Sequence, residues 1–173
     1  MKKAIVIGTF DTFHNGHYDL LIYGLKIFDK LIIQIGNDSK KDNWFTPEER
    51  KDMILKVMKE YSDRIEIYYN ENLNKLGEIC HKHNAHFVLR GIKAGRTFDE
   101  EMRIQNVCKF MAKEKYGEEI EFIHKVTSDS DFRGSSIVKI YADDKEILKK
   151  LVPEVLVDCI YERSKSKGVK NDN

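Results

Sequence analysis

Two histidines three residues apart, His14 and His17, flank Gly16 in the decapeptide GTFDTFHNGH that runs from Gly8 to His17. An imidazole N–H can donate to a phosphate oxygen, and two rings at this spacing on one helix face can serve the same anion. The run before it, Ala4, Ile5, Val6 and Ile7, is short, branched and apolar, as a strand buried on both faces should be. After it, Leu20, Leu21, Leu25 and Phe28 recur at helical spacing over residues 18–28. The histidines are therefore expected at a helix N-terminus. Unpaired backbone N–H groups and the positive end of the helix dipole attract anions there, and Gly16 lets a phosphate come close. Two histidines in an ordinary surface loop are the bland alternative, and the glycine between them weakens it. The chain has no GxxxxGK[ST] and its glycines do not form GxGxxG, which disfavours a P-loop kinase or a dinucleotide-dependent dehydrogenase.

The decapeptide resembles the T/HxGH signature of the nucleotidyltransferase superfamily, which includes phosphopantetheine adenylyltransferases, nicotinamide mononucleotide adenylyltransferases and small cytidylyltransferases. Further along, Lys40 and Lys41 precede a helix start in which Thr46 is the N-cap, Pro47 the first helical residue and Glu49 the third, a capping box. A lysine before that helix could bridge an attacking phosphate and the phosphorus under attack. The segment is similar to SKKPxFTxEER of phosphopantetheine adenylyltransferases, with Lys40 at their substrate lysine. Asp42, Asn43 and Trp44 stand where those enzymes have proline and one residue, so the loop is longer and Lys40 and Lys41 could exchange roles.

A second block, Arg90, Gly91, Ile92, Lys93 and Ala94 followed by Phe98, Asp99, Glu101 and Met102, resembles RGLRAxxDFExEM of the same enzymes and has no counterpart in the small cytidylyltransferases. A guanidinium can grip a phosphate through two parallel hydrogen bonds. The resemblance implies that Arg90 binds the acceptor phosphate, Lys93 the ATP phosphates and Glu101 the nucleoside. Lys93 replaces the usual arginine and so lacks its planar fork, and Thr97 replaces an aspartate. A third block, Gly134, Ser135, Ser136, Ile137, Val138 and Lys139, is similar to the family's ISSSLVK. Serines at a helix start often only cap it, but here Ser135 and Ser136 are expected on the β and γ phosphates. Ser130 replaces an aromatic residue in the preceding loop, and Arg133 is added.

The resemblance further implies nucleotide contacts at Gly8, Phe10 and Gly91, and acceptor contacts at Thr9 and Leu76. It implies catalysis by His17, His14 and Lys40, with Mg²⁺ carried by the ATP phosphates rather than by protein ligands. The reaction would be attack of the 4′-phosphopantetheine phosphate on the α-phosphorus of ATP, giving dephospho-coenzyme A and pyrophosphate without a covalent intermediate. His14 in place of the usual threonine keeps a CTP-dependent rival in view, acting on glycerol 3-phosphate or on a sugar or alcohol phosphate. Lys93, Ser130 and Gly134 motivate a third reading, a nucleotide-binding sensor without catalysis. Enzymes of this family form homo-oligomers, commonly hexamers, and the resemblance implies the same here.

The elements that must position these residues alternate along the chain. Strand patterns at residues 4–7, 31–35, 65–69, 87–89 and 120–123 are each followed by a helical pattern. They predict a single α/β domain, Rossmann-like and doubly wound, with about five parallel strands, helices on both faces and the loops above converging at the carboxyl ends. The domain is expected over residues 1–163, with Val152, Pro153 and Glu154 introducing the last helix and a polar, disordered tail over 164–173. At 173 residues and 41% hydrophobic content the chain suits one domain with a full core. A net charge of +1 gives no electrostatic case for nucleic acid or an anionic membrane as the main partner. Cys80, Cys108 and Cys159 are widely spaced and odd in number, as reduced thiols of a cytoplasmic protein would be. The run Cys80, His81, Lys82, His83 invites a metal reading, but its surroundings favour a partly exposed helix.

Overall fold

The computed structural model describes residues 1–36, 42–70, 75–92, 98–126 and 134–168. Among them five strands, β1 Lys3–Gly8, β2 Lys30–Gly36, β3 Ile65–Asn70, β4 Phe87–Ile92 and β5 Glu121–Val126, form one sheet. Its order is β3-β2-β1-β4-β5 and every pairing is parallel. The chain winds outward from β1 to β3, then returns to lay β4 beside β1, so the order reverses between β1 and β4. Ligands of open parallel sheets bind above such a reversal, at the carboxyl ends of the strands.

The helices are α1 Asn15–Ile27, α2 Pro47–Val57, α3 Leu76–His83, α4 Phe98–Tyr116, α5 Ser135–Ile140, α6 Lys145–Leu151 and α7 Val157–Lys167. Alternate residues of the central strands feed two cores. Ala4, Val6, Leu31, Ile33 and Leu89 pack with side chains of α1, α2 and α5–α7. Ile5, Ile32 and Val88 pack with Ile79 and Cys80 of α3 and Cys108 and Ala112 of α4. That two-sided burial is why β1 and β2 read as unbroken apolar runs, and each such side chain contributes about 1.5–3 kcal/mol relative to exposure. No described helix is long and apolar enough to cross a membrane.

Three boundaries differ from the expectation. β4 does not stop at Leu89. Arg90, Gly91 and Ile92 pair with His124, Lys125 and Val126, so Arg90 and Gly91 lie within the strand rather than after it. The Arg-Gly pair looks like a strand end, but the neighbouring edge strand continues the ladder past it. β5 correspondingly runs three residues beyond Ile123. The last helix extends to Lys167, and Ser164, expected to open a disordered tail, is fully buried with its hydroxyl donating to Tyr161 O at 2.7 Å. A local hydrogen bond of this kind lets a serine enter a helix interface. Residues 169–173 lie outside the described residues, as do Lys40, Lys41, Lys93, Thr97, Ser130 and Arg133.

Candidate active site

The histidine loop is built on an aromatic bed. Phe10 has φ 53° and turns its ring back over Gly8, where a Cβ would stand 3.1 Å from the ring. Glycine at position 8 is what admits that close approach. Phe10 and Phe13, both buried, lie under His17 with centroid distances of 4.9 and 5.5 Å. His14 and His17 then stack at 3.7 Å, 24° between planes. His14 is the N-cap of α1 and is only 2% exposed, whereas His17, in the first turn, is half-buried. The His14 backbone N–H donates to His17 Nδ1 at 3.4 Å. An acceptor role for Nδ1 leaves Nε2 as the proton-bearing nitrogen of the neutral ring, the tautomer a phosphate oxygen requires.

Five charged side chains hold that loop. The buried Asp11 carboxylate accepts from Trp44 N and Phe45 N, each at 3.0 Å, and pairs with Lys139 Nζ of α5 at 2.7 Å. Arg50, at the start of α2 and 1% exposed, donates to Thr9 O at 2.8 Å, Gly36 O at 3.0 Å and Thr46 O at 3.3 Å. It fastens the ends of β1 and β2 to α2. Burial holds the Arg50 pKa below its ordinary value against the opposing pull of Asp11. Arg163 of α7 donates to Trp44 O and pairs with Glu49. Glu49 closes the expected capping box, accepting from Thr46 N at 2.8 Å while its own N–H donates to Thr46 Oγ1 at 3.2 Å. Burial raises the Glu49 pKa, but the Thr46 amide and Arg163 outweigh it and the net value is below the usual carboxylate range.

At the neighbouring carboxyl end, Arg90 Nη2 donates to Glu101 Oε1 at 3.1 Å. Arg90 Nε and Glu101 Oε2 lie 3.0 Å apart as an ion pair, without the alignment of a second hydrogen bond. Gly91 is exposed, and a Cβ there would meet only Leu20 Cδ2, at an ordinary 3.6 Å. Burial pushes the Cys80 thiol up to about 12 and raises Cys108 and Cys159 as well, which lowers the thiolate share of all three.

The structure thus gathers Gly8, Thr9, Phe10, His14 and His17, and brings Ser135 to them through a hydrogen bond from its hydroxyl to Thr12 O at 3.3 Å. Ser136 is exposed in the same first turn of α5. Arg90, Gly91 and Glu101 form a second group on β4 and α4. Leu76 stands apart from both: at 2% exposure it is a packing residue of the α3–α4 core. Cys80 is in that core too, while His81 Nδ1 lies 2.6 Å from Glu118 and His83 rests against Gln34. Among the described residues no three His, Cys, Asp or Glu side chains converge as metal ligands. Sequence reasoning missed Arg50, Lys139 and Arg163 as parts of the site. Arg50 follows directly on the capping box and Lys139 closes the serine block, whereas Arg163 carries no local signal.

The profile of the cytidylyltransferase-like family matches residues 5–140. The chain is 33% identical to the phosphopantetheine adenylyltransferase of Leptospira biflexa serovar Patoc, across 92% of this chain and 96% of that one. It is 31% identical to that of Natranaerobius thermophilus, across 96% and 98%. In fold it is similar to Plasmodium falciparum nicotinic acid mononucleotide adenylyltransferase complexed with NaAD, with a TM-score of 0.63 at 13% identity over 94% of this chain and 96% of that one.

Proposed function

The chain belongs to the cytidylyltransferase-like family and within it to the phosphopantetheine adenylyltransferases, and from that premise we propose that it transfers the adenylyl group of ATP to 4′-phosphopantetheine. A phosphate oxygen of the acceptor forms the new bond to the α-phosphorus. The bond to the β-phosphate bridging oxygen breaks in line, and pyrophosphate leaves. The observation that carries this reading is the stacked His14–His17 pair at the carboxyl end of β1, with the first turn of α5 tied to the same loop. His17 Nε2–H is the donor for charge developing on the α-phosphate, and His14 backs it. Ser135 and Ser136 hold the departing pyrophosphate with Lys93, and Thr9 and Lys40 orient the attacking phosphate. Arg90 takes the acceptor phosphate in place of Glu101, which turns to the nucleoside, and Gly8, Phe10 and Gly91 line the nucleotide. Catalysis is then positioning and charge, and no side chain becomes a nucleophile.

Mg²⁺ would be carried by the ATP phosphates and would screen the charge of the departing pyrophosphate. The free cysteines suit a cytoplasmic enzyme. A homo-oligomer, a hexamer by family resemblance, is supported by α4. Its Ile104, Val107, Phe110 and Met111 are between 41% and 63% exposed, an apolar stripe that a second copy would cover.

Pyrophosphate release tests the reading, with ATP plus 4′-phosphopantetheine set against CTP plus glycerol 3-phosphate, both with Mg²⁺. Turnover with the first pair alone is expected. Turnover with CTP alone would overturn the proposed substrates, and silence with both would count against catalysis.

A further inference from the structure

The last helix reaches the histidine loop through one turn of backbone. Arg163 of α7 donates from Nη1 to Trp44 O at 2.7 Å and lies over the Phe45 ring at 4.5 Å from its centroid. Its other nitrogen pairs with Glu49, which caps α2. The opposite edge of the same turn faces Asp11, whose carboxylate accepts from the amides of Trp44 and Phe45. Trp44 and Phe45 are both buried, so the turn is clamped between α7 and the histidine loop. Asp42 and Asn43, just before it, belong to the lengthened loop, and Lys139 of α5 donates to Asp42 O. Asp42 O and the Trp44–Phe45 turn are therefore anchored by side chains of α5 and α7.

We propose that Arg163 is a positioning residue of the transfer site: by fixing the Trp44–Phe45 turn it sets where Asp11, and with it the His14–His17 stack, stands. The inference rests on the transfer reading above. A guanidinium suits the task because its plane stacks on Phe45 while its edge donates in two directions, which an ammonium cannot do. Its effect is expected first on the nucleotide, which the histidine pair meets, and less on the acceptor, which keeps Arg90 on β4 although Thr9 belongs to the loop.

The test compares Arg163→Ala, Arg163→Lys and Lys145→Ala with wild type, well below each unfolding transition. Lys145 pairs with Asp158 at 2.6 Å and so ties α6 to α7 away from the turn. Trp44, the only tryptophan in the chain, reports on the turn by its emission. For Arg163→Ala we expect a red-shifted emission, kcat lower by about tenfold to a hundredfold, ATP KM raised about fivefold and acceptor KM within about twofold. Arg163→Lys recovers part of kcat, and Lys145→Ala matches wild type. Wild-type kcat in Arg163→Ala would overturn the proposal by leaving Arg163 a merely structural role. Reduced kcat with unshifted emission would overturn it as well, since the effect would not pass through the turn. If Arg163→Ala does not fold, Arg163→Gln carries the same readouts. Silence of the wild-type enzyme with both substrate pairs would count against the transfer reading alone. The ATP dissociation constant then replaces kcat, about fivefold weaker in Arg163→Ala by the same reasoning, and equal constants would overturn the positioning role.

Discussion

At the carboxyl end of β1 a buried arginine is bonded to backbone, and at the carboxyl end of β4 a second arginine is bonded to a side chain. Arg50 gives its hydrogen bonds to the carbonyls of Thr9, Gly36 and Thr46, three segments that cannot exchange it for a ligand without coming apart. Arg90 gives its own to the Glu101 carboxylate, an anion of the same planar geometry a phosphate edge presents. The first is frame, and in the proposed transfer the second is receptor. The same residue type serves either purpose, and what separates them is whether the partner can be replaced by substrate.

The largest effect belongs to the residue the frame exists to hold. His17→Ala should lower kcat by about 10²–10³-fold while the far-ultraviolet circular dichroism spectrum and Tm stay close to wild type. Near wild-type turnover would remove His17 from the mechanism. Arg50→Ala should sharpen the contrast from the side of stability. Thr9 O and Gly36 O lose the guanidinium while Thr46 O keeps the residue 50 amide, and urea unfolding should show a loss of about 3 kcal/mol or more. Arg90→Ala should be felt first in binding, raising acceptor KM by about tenfold or more, with a stability loss smaller than that of Arg50→Ala because a single buried partner, Glu101, is left behind. A large loss of stability in Arg90→Ala, with acceptor KM unchanged, would break the distinction between the two arginines.

The smallest effect is on acid tolerance. The Glu49 pKa is lower folded than unfolded, so its contribution is complete above the unfolded value and is lost as pH falls through the folded one. Between about pH 5 and about pH 3.5 the Tm of Glu49→Gln should therefore fall less than that of wild type.

The sheet was legible because its central strands are buried on both faces, and the histidine loop because glycine and histidine at fixed spacing have few other uses. The α2 capping box was legible for the same reason, being a local pattern of four residues. What the sequence hid is whatever depends on contacts between distant segments. β4 runs on past Leu89 only because β5 pairs with it. The end of α7 looks like a tail from Ser164 onward until that serine is found buried against the helix. Leu76 bears a family role by position and yet packs in the α3–α4 core. Arg90 stood out in its block while Arg50 did not, and only the partners of Arg50 mark it as part of the frame.

In the proposed reaction the adenylyl group passes directly from ATP to the acceptor at the histidine loop. Its most direct measurement is a single turnover with ATP labelled at the α-phosphorus and 4′-phosphopantetheine, in wild type and His17→Ala. Label is expected in dephospho-coenzyme A, with none on the protein and almost no transfer in the variant. Label bound covalently to the protein, or equal transfer by His17→Ala, would contradict that reaction.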